Sequence, residues 1–276
     1  MGTVLLIILL IPVSLAAAGV VVTFLLAWLV FPGGGSRGPN DTLASRVVGV
    51  ILAVIMEWLA SVWVIAVMPA RAWRPRKSRR RLSEGRVPVA LLPGMCENAL
   101  TMSVLAAWLE RSLGVPVRAL RPVRYFTGVE VLALDYRKQL EAWMDELGAE
   151  QVDLVGHSLG GLLARHLVER GGFAPRIRTV VTVATPHLGS ALAALGPYRI
   201  MRQMRRGSAY LESLNSGPTS VEARIVGISS THDNLVLPWN CALSPRGDNF
   251  IIRYRGHLAL ILSREVLRII VRELRD

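Results

Sequence analysis

From Thr3 to Phe31 the chain runs for 29 residues without a charge. Away from water such a stretch must satisfy its own backbone polar groups, which makes it a helix. At about 1.5 Å of rise per residue, roughly 20 residues cross a hydrocarbon core, so this run can span one with a tilt or a kink near Pro12. A cleaved leader is the rival reading, given Ala16, Ala17 and Ala18. No basic residue precedes the apolar run, however, and the hydrophobicity continues past the alanines. A retained helix is the expectation.

A Gly- and Pro-rich connector over 31–40 leads to a second apolar stretch, Val47 to Ala70, whose only charge is Glu57. An ionisable group there costs about 3 kcal/mol on insertion scales and is a functional suspect by default. The plainer reading, favoured here, is a protonated Glu57 packed against the first helix or a neighbouring subunit. Then come Arg71, Arg74, Arg76, Lys77, Arg79, Arg80 and Arg81, with no acid among them. The net charge of +12 is suggestive of nucleic acid. The densest basic run lies beside an apolar segment, though, and positive-inside topology accounts for it more simply.

The expected organisation is a two-helix transmembrane hairpin over 1–70, with spans at about 3–31 and 47–70, a basic linker over 71–85, and a domain over 86–276. Both hairpin ends and the domain fall on the cytoplasmic side, with the bilayer as partner and no nucleic acid. Association of copies through the hairpin fits the same picture. The basic run can also hold anionic headgroups, at about 1 kcal/mol per residue. Two cysteines, Cys96 and Cys241, make neither a disulfide scaffold nor a metal-ligand spacing.

After Arg86 short β-rich runs alternate with amphipathic helices, which argues for an α/β class with a mostly parallel sheet flanked by helices. Strands are expected at Val87–Leu92, Val115–Leu120, Val152–Val155, Ile177–Val183, Ala223–Ile228 and Phe250–Tyr254. Helices are expected at Asn98–Leu113, Val129–Leu147, Leu159–Glu169 and Ser263–Leu274.

Gly156-His157-Ser158-Leu159-Gly160 sits between a strand and a helix. A serine on so tight a turn is backbone-strained, and small residues two before and two after let the chain segments pass closely. Its hydroxyl then projects at the carboxyl end of the sheet, where the following N–H helps stabilise an oxyanion. Such a turn could instead bind phosphate, or Ser158 could be an ordinary N-cap. Ser158 as nucleophile fits the strand before it, the helix after it and the partners downstream.

A serine needs a base, and the base an orienting acid, in the chain order Ser, Asp or Glu, His. Asp233 lies in the loop leaving the fifth strand and His257 in the loop leaving the sixth. Of the other histidines, His157 is inside the turn, His166 is mid-helix, and His187 and His232 precede the required slot. Asp248 is the rival acid; Asp153, within a strand, reads as structural. The oxyanion donors are expected to be the backbone N–H groups of Met95 and Leu159. Cys96 is expected to line the pocket.

Val87 to Gly94, the Gly156–Gly161 turn, Thr185-Pro186-His187-Leu188-Gly189-Ser190, Asp233 and Gly256-His257 together resemble bacterial triacylglycerol lipases and esterases of the α/β-hydrolase superfamily. The resemblance covers roughly 86–275. It implies an α/β-hydrolase fold with little or no cap and a lipid or acyl-ester substrate; it does not extend to the two apolar segments, which with the basic run give the expected bacterial inner-membrane location. It also implies pocket residues among Cys96, His157, His187, Leu188 and Val236, and no cofactor or metal. Where the family usually has His-Gly at the oxyanion loop, this chain has Pro93-Gly94; the donor is a backbone N–H, so activity is expected to survive the change. An arginine-containing insert, Ala191 to Leu214, contains either an amphipathic lid over 198–214 or a solvated surface helix. The leading reading is an esterase or lipase. A thioesterase or acyltransferase on the same triad, or an inactive scaffold, are the alternatives.

Overall fold

The computed structural model describes residues 2–30, 42–69, 80–124, 126–217 and 222–275, with side chains of the first helix described over 13–29. The connector after the first helix and most of the basic linker, residues 71–79, lie outside the described residues.

Six strands form one parallel sheet in the order β2-β1-β3-β4-β5-β6. They are β1 Val89–Leu92, β2 Val117–Ala119, β3 Val152–His157, β4 Ile177–Val183, β5 Arg224–Ser230 and β6 Asp248–Ile252. The period-two alternation of a strand splits β1 between two cores. Ala90 and Leu92 join the face covered by α4 (Val129–Leu147) and α5 (Leu159–Glu169), with Tyr136, Leu140 and Trp143. Val89 and Leu91 join the face covered by α3 (Ser103–Leu113) and α8 (Arg264–Arg275), with Leu109, Val266 and Ile270. Helices α4 and α5 and strand β4 coincide with their sequence expectations. The other elements differ at their ends; α3 starts at Ser103 because residues 99–102 form turns, two of them fastened by Asn98 Oδ1, which accepts from the Leu100 and Thr101 N–H at 2.8 and 3.1 Å.

A parallel sheet presents every strand's carboxyl end at one rim, where ligands of such folds bind. Here that rim carries Gly94 after β1, Ser158 after β3, Thr185–Ser190 after β4, Asp233 after β5 and His257 after β6. The insert folds as a 3-10 turn, Ala191–Leu195, followed by α6 (Arg199–Gln203) and α7 (Ala209–Ser216). Ile200, Met204, Leu211 and Leu214 are buried in the main core, so the insert is packed onto the domain.

The two N-terminal helices, α1 (Gly2–Val30) and α2 (Leu43–Val67), pack on each other, with Trp58 Nε1 donating to Val13 O at 3.3 Å. Among the described residues α2 is long and apolar enough to cross a membrane, and Val13–Leu29 is a shorter apolar stretch. The pair does not stand apart from the domain. Its buried stripe of Gly49, Ala53, Glu57, Ala60, Val64 and Val67 puts α2 along the rim. A Cβ on Gly49 would meet the Tyr254 ring at 2.5 Å, and Val67 O accepts from Asn98 Nδ2 at 2.8 Å. Those two contacts lie about 27 Å apart along the helix. From α1, Thr23 Oγ1 accepts from Asn234 Nδ2 at 2.7 Å.

Candidate active site

Ser158 sits between β3 and α5 at φ +52°, ψ −120°, a region L-residues rarely occupy. Its N–H donates to Val183 O at 2.8 Å and its carbonyl accepts from Gly161 N at 3.1 Å, so both neighbouring elements hold the turn. The surrounding glycines are required by space. A Cβ on Gly156 would lie 2.5 Å from Gly160 C, and one on Gly160 would overlap the Leu92 carbonyl of β1.

His257 Nδ1 lies 2.9 and 3.0 Å from the two carboxylate oxygens of Asp233. Asp233 Oδ1 also accepts the N–H groups of Leu235 and Val236 at 2.9 and 2.8 Å. The backbone N–H of His257 donates to Asn234 Oδ1 at 3.0 Å. Burial disfavours the imidazolium, but the Asp233 carboxylate, helped by Glu57 and Glu97, outweighs it and raises the His257 pKa. With Nδ1 occupied by the acid, Nε2 is the free nitrogen.

Ser158 and His257 line one cavity of about 150 Å³, whose wall includes Gly94, Met95, Val236, Met201 and Met204. Among the described residues no hydrogen bond joins the Ser158 hydroxyl to the ring. Met95 and Leu159, the two candidate oxyanion donors, have no partner for their N–H groups among the described residues, as expected for Leu159 in the first turn of α5.

The sequence reading missed a second buried pair beneath the oxyanion loop. Glu97 Oε2 accepts the Gly94 N–H at 2.5 Å, while Glu97 Oε1 lies 2.8 Å from His157 Nδ1. His157 Nε2 meets His257 O at 3.1 Å, and the two rings are 4.8 Å apart. Burial works against the Glu97 charge, but His157 and the Gly94 amide outweigh it and lower its pKa. The one signal was an acid closing the otherwise uncharged run Leu91 to Cys96.

Of the proposed pocket residues, His157 and Val236 line the cavity and Cys96, His187 and Leu188 do not. His187 is held inside the domain by Arg165 Nη1 on Nδ1 at 3.0 Å and Thr182 Oγ1 on Nε2 at 3.1 Å. Burial first, then Arg165, pushes its pKa well down, so the ring is neutral. Leu188 is half-exposed, and Cys96 occupies the left-handed turn of the oxyanion loop at φ +66°. The Thr185–Ser190 run acts on the acid loop instead: Ser190 Oγ donates to Leu235 O at 2.6 Å and accepts from Leu237 N at 3.1 Å. Asp248 is exposed at the edge of the sheet, and Asp153 pairs with Arg178 at 2.6 Å.

A second apolar cavity, about 360 Å³, lies between the hairpin and the far side of the acid loop, with Phe24, Trp28, Val54, Asp233 and Leu237 in its wall. Ser158 is not part of it.

Sheet order, flanking helices and the strained serine turn define an α/β-hydrolase fold. The pattern of the palmitoyl protein thioesterase family matches residues 88–216, somewhat less than half of the chain. The chain superposes on the mature lipase BlEst2 of Bacillus licheniformis with a TM-score of 0.62 at 13% identity, covering 73% of this chain and 98% of that one. Lipase B of Aspergillus fumigatus gives 0.66 at 13% identity over 97% of this chain and 85% of that one. A monoacylglycerol lipase of Paleococcus ferrophilus gives 0.52 at 17% identity over 73% and 98%. No curated protein matches the chain in sequence.

Proposed function

We propose that the protein is a serine acyl hydrolase that cleaves carboxylic esters of lipid-like substrates at a membrane. The observation that carries this is His257, held through Nδ1 by Asp233, lining the same small, largely apolar cavity as a serine at positive φ. The Ser158 hydroxyl attacks the acyl carbonyl while His257 Nε2 takes its proton, and Asp233 holds Nδ1 and stabilises the imidazolium. The oxyanion forms against the N–H groups of Met95 and Leu159, each worth about 3 kcal/mol in the transition state. His257 returns the proton to the leaving alkoxide. Water then repeats the sequence on the acyl-enzyme and releases the acid. The proton transfer requires the Ser158 hydroxyl and His257 Nε2 to come within hydrogen-bond reach as substrate binds.

A thioester substrate fits the same steps with a thiolate leaving group, and the thioesterase pattern over 88–216 favours it as the second reading. The hairpin serves as the anchor, with the outward residues Val22, Leu25, Ile51, Ile55 and Leu59 meeting lipid. The arginine-rich linker then belongs on the cytoplasmic side. The test is labelling of detergent-solubilised protein with a fluorophosphonate probe beside Ser158→Ala, followed by p-nitrophenyl esters and acyl thioesters of graded chain length. Labelling that persists in Ser158→Ala would sink the proposal.

A further inference from the structure

Glu57 is the one acid in α2, and the hairpin alone offers it no reason to be there. It is 1% exposed and faces the hydrolase domain. Its Oε1 accepts the Leu258 N–H at 3.0 Å and its Oε2 the Ala259 N–H at 2.9 Å. On the other side of His257, a Cβ on Gly256 would lie 2.5 Å from Glu57 Oε2. The carboxylate is thus clasped by the residues on either side of the base.

The remaining backbone groups of His257 are fixed from elsewhere. Its N–H is taken by Asn234, which α1 steadies through Thr23, and its carbonyl meets His157. Among the described residues, Glu57 alone holds the two amides that follow. The charged and titratable groups facing the ring are Asp233, Glu57 and Glu97, with His157 beside it. A buried carboxylate without such partners would be strongly destabilising, so its place in an apolar helix is explained by the two amides it satisfies.

We infer that Glu57 is a positioning residue for catalysis: an acid supplied by the anchor helix that fixes the loop presenting His257. The hairpin is therefore part of the active-site scaffold. This rests on the serine-hydrolase reading.

The experiment uses the full-length protein in detergent. Glu57→Gln keeps one acceptor but turns an NH2 toward an N–H and removes the charge. It should lower kcat about 10- to 100-fold through misplacement of the base, with KM little changed. It should also move the acid limb of the kcat/KM profile to lower pH. Trp58→Phe, which removes only the bond to Val13 within the hairpin, should keep the wild-type rate and limb. A Glu57→Gln enzyme with wild-type kcat and an unmoved limb overturns the inference while the hydrolase reading stands. Wild-type protein that takes no fluorophosphonate label sinks both. If Glu57→Gln does not fold, Gly256→Ala presses on the same carboxylate from the other side and should give the same two changes. An unchanged rate and limb in that variant also overturn the inference.

Discussion

Asp233 offers both of its carboxylate oxygens to Nδ1 of His257, at 2.9 and 3.0 Å, while two backbone amides of its own loop hold Oδ1. An acid fixed in this way sets the tautomer of the base as well as its orientation.

Asp233→Asn should therefore lower kcat by about 10⁴-fold while the protein remains folded. Asp248→Asn should stay near the wild-type rate, because the Asp248 carboxylate is exposed at the sheet edge and lies 3.8 Å from Arg224, away from His257. Steady-state rates on a soluble ester compare the two. A large loss in Asp248→Asn with little in Asp233→Asn would move the acid to the other loop.

The raised His257 pKa has a definite sign in activity. In the proposed reaction the ring acts as a base in its neutral form, so kcat/KM should climb with pH through a midpoint above 6.5, the ordinary histidine value. Removing the Asp233 charge should lower that midpoint. The stability effect runs in the opposite direction. Protonation favours the folded state, so this contribution is complete below the unfolded value and is lost as pH rises through the folded one. A kcat/KM midpoint below 6.5 would contradict the pairing.

Gly160→Ala should destabilise the protein by about 1–3 kcal/mol or prevent folding, because the new methyl group overlaps the Leu92 carbonyl of β1. Thermal unfolding of the solubilised variant reads this directly. A Gly160→Ala protein with wild-type stability would mean that the turn and β1 are further apart than described here.

Met201 and Met204 form one wall of the cavity, and methionine accommodates varied apolar shapes. Met201→Trp should reduce kcat/KM for long acyl chains more than for acetyl or butyryl esters. An equal loss across chain lengths would remove this wall from the acyl site.

The proposed anchor is testable by sidedness. Because α2 lies along the domain rim from Gly49 to Val67, cysteines replacing Ser36 and Ser78 in a protein stripped of Cys96 and Cys241 should both react with an impermeant maleimide from the same face. Labelling from opposite faces would mean that the helix pair leaves the rim to cross the bilayer.

Much of the candidate site's layout was legible in the sequence because it depends on local order. The strand–turn–helix around Ser158 carries its own glycine spacing, and Asp233 and His257 are identified by which strand each one follows. Helices α4 and α5 showed their limits through amphipathic periodicity and a following Gly148 or Arg170-Gly171. The Glu97–His157 pair and the fixing of His187 by Arg165 left no such trace. Each joins residues from separate elements, and a buried polar residue looks the same in sequence whether it has a partner or not. Glu57 stood out as an anomaly, but the expected partners were the first helix or another subunit. The structure gives the backbone beside His257 instead. A stripe of small residues on α2 lets the hairpin lie against the rim, a packing relation that hydropathy does not record.

Once its inner stripe is used up on the domain, the hairpin turns outward a face of leucine, isoleucine, valine and Trp28 that has nothing to offer water. As the proposed anchor, that face would be coated by an amphiphile whenever the intact chain is handled in solution. Every rate measured on it is then the rate of a mixed particle, in which the substrate concentration that matters is a mole fraction within the coating. Dilution with detergent alone should slow turnover of a long-chain ester while leaving a freely soluble one unaffected.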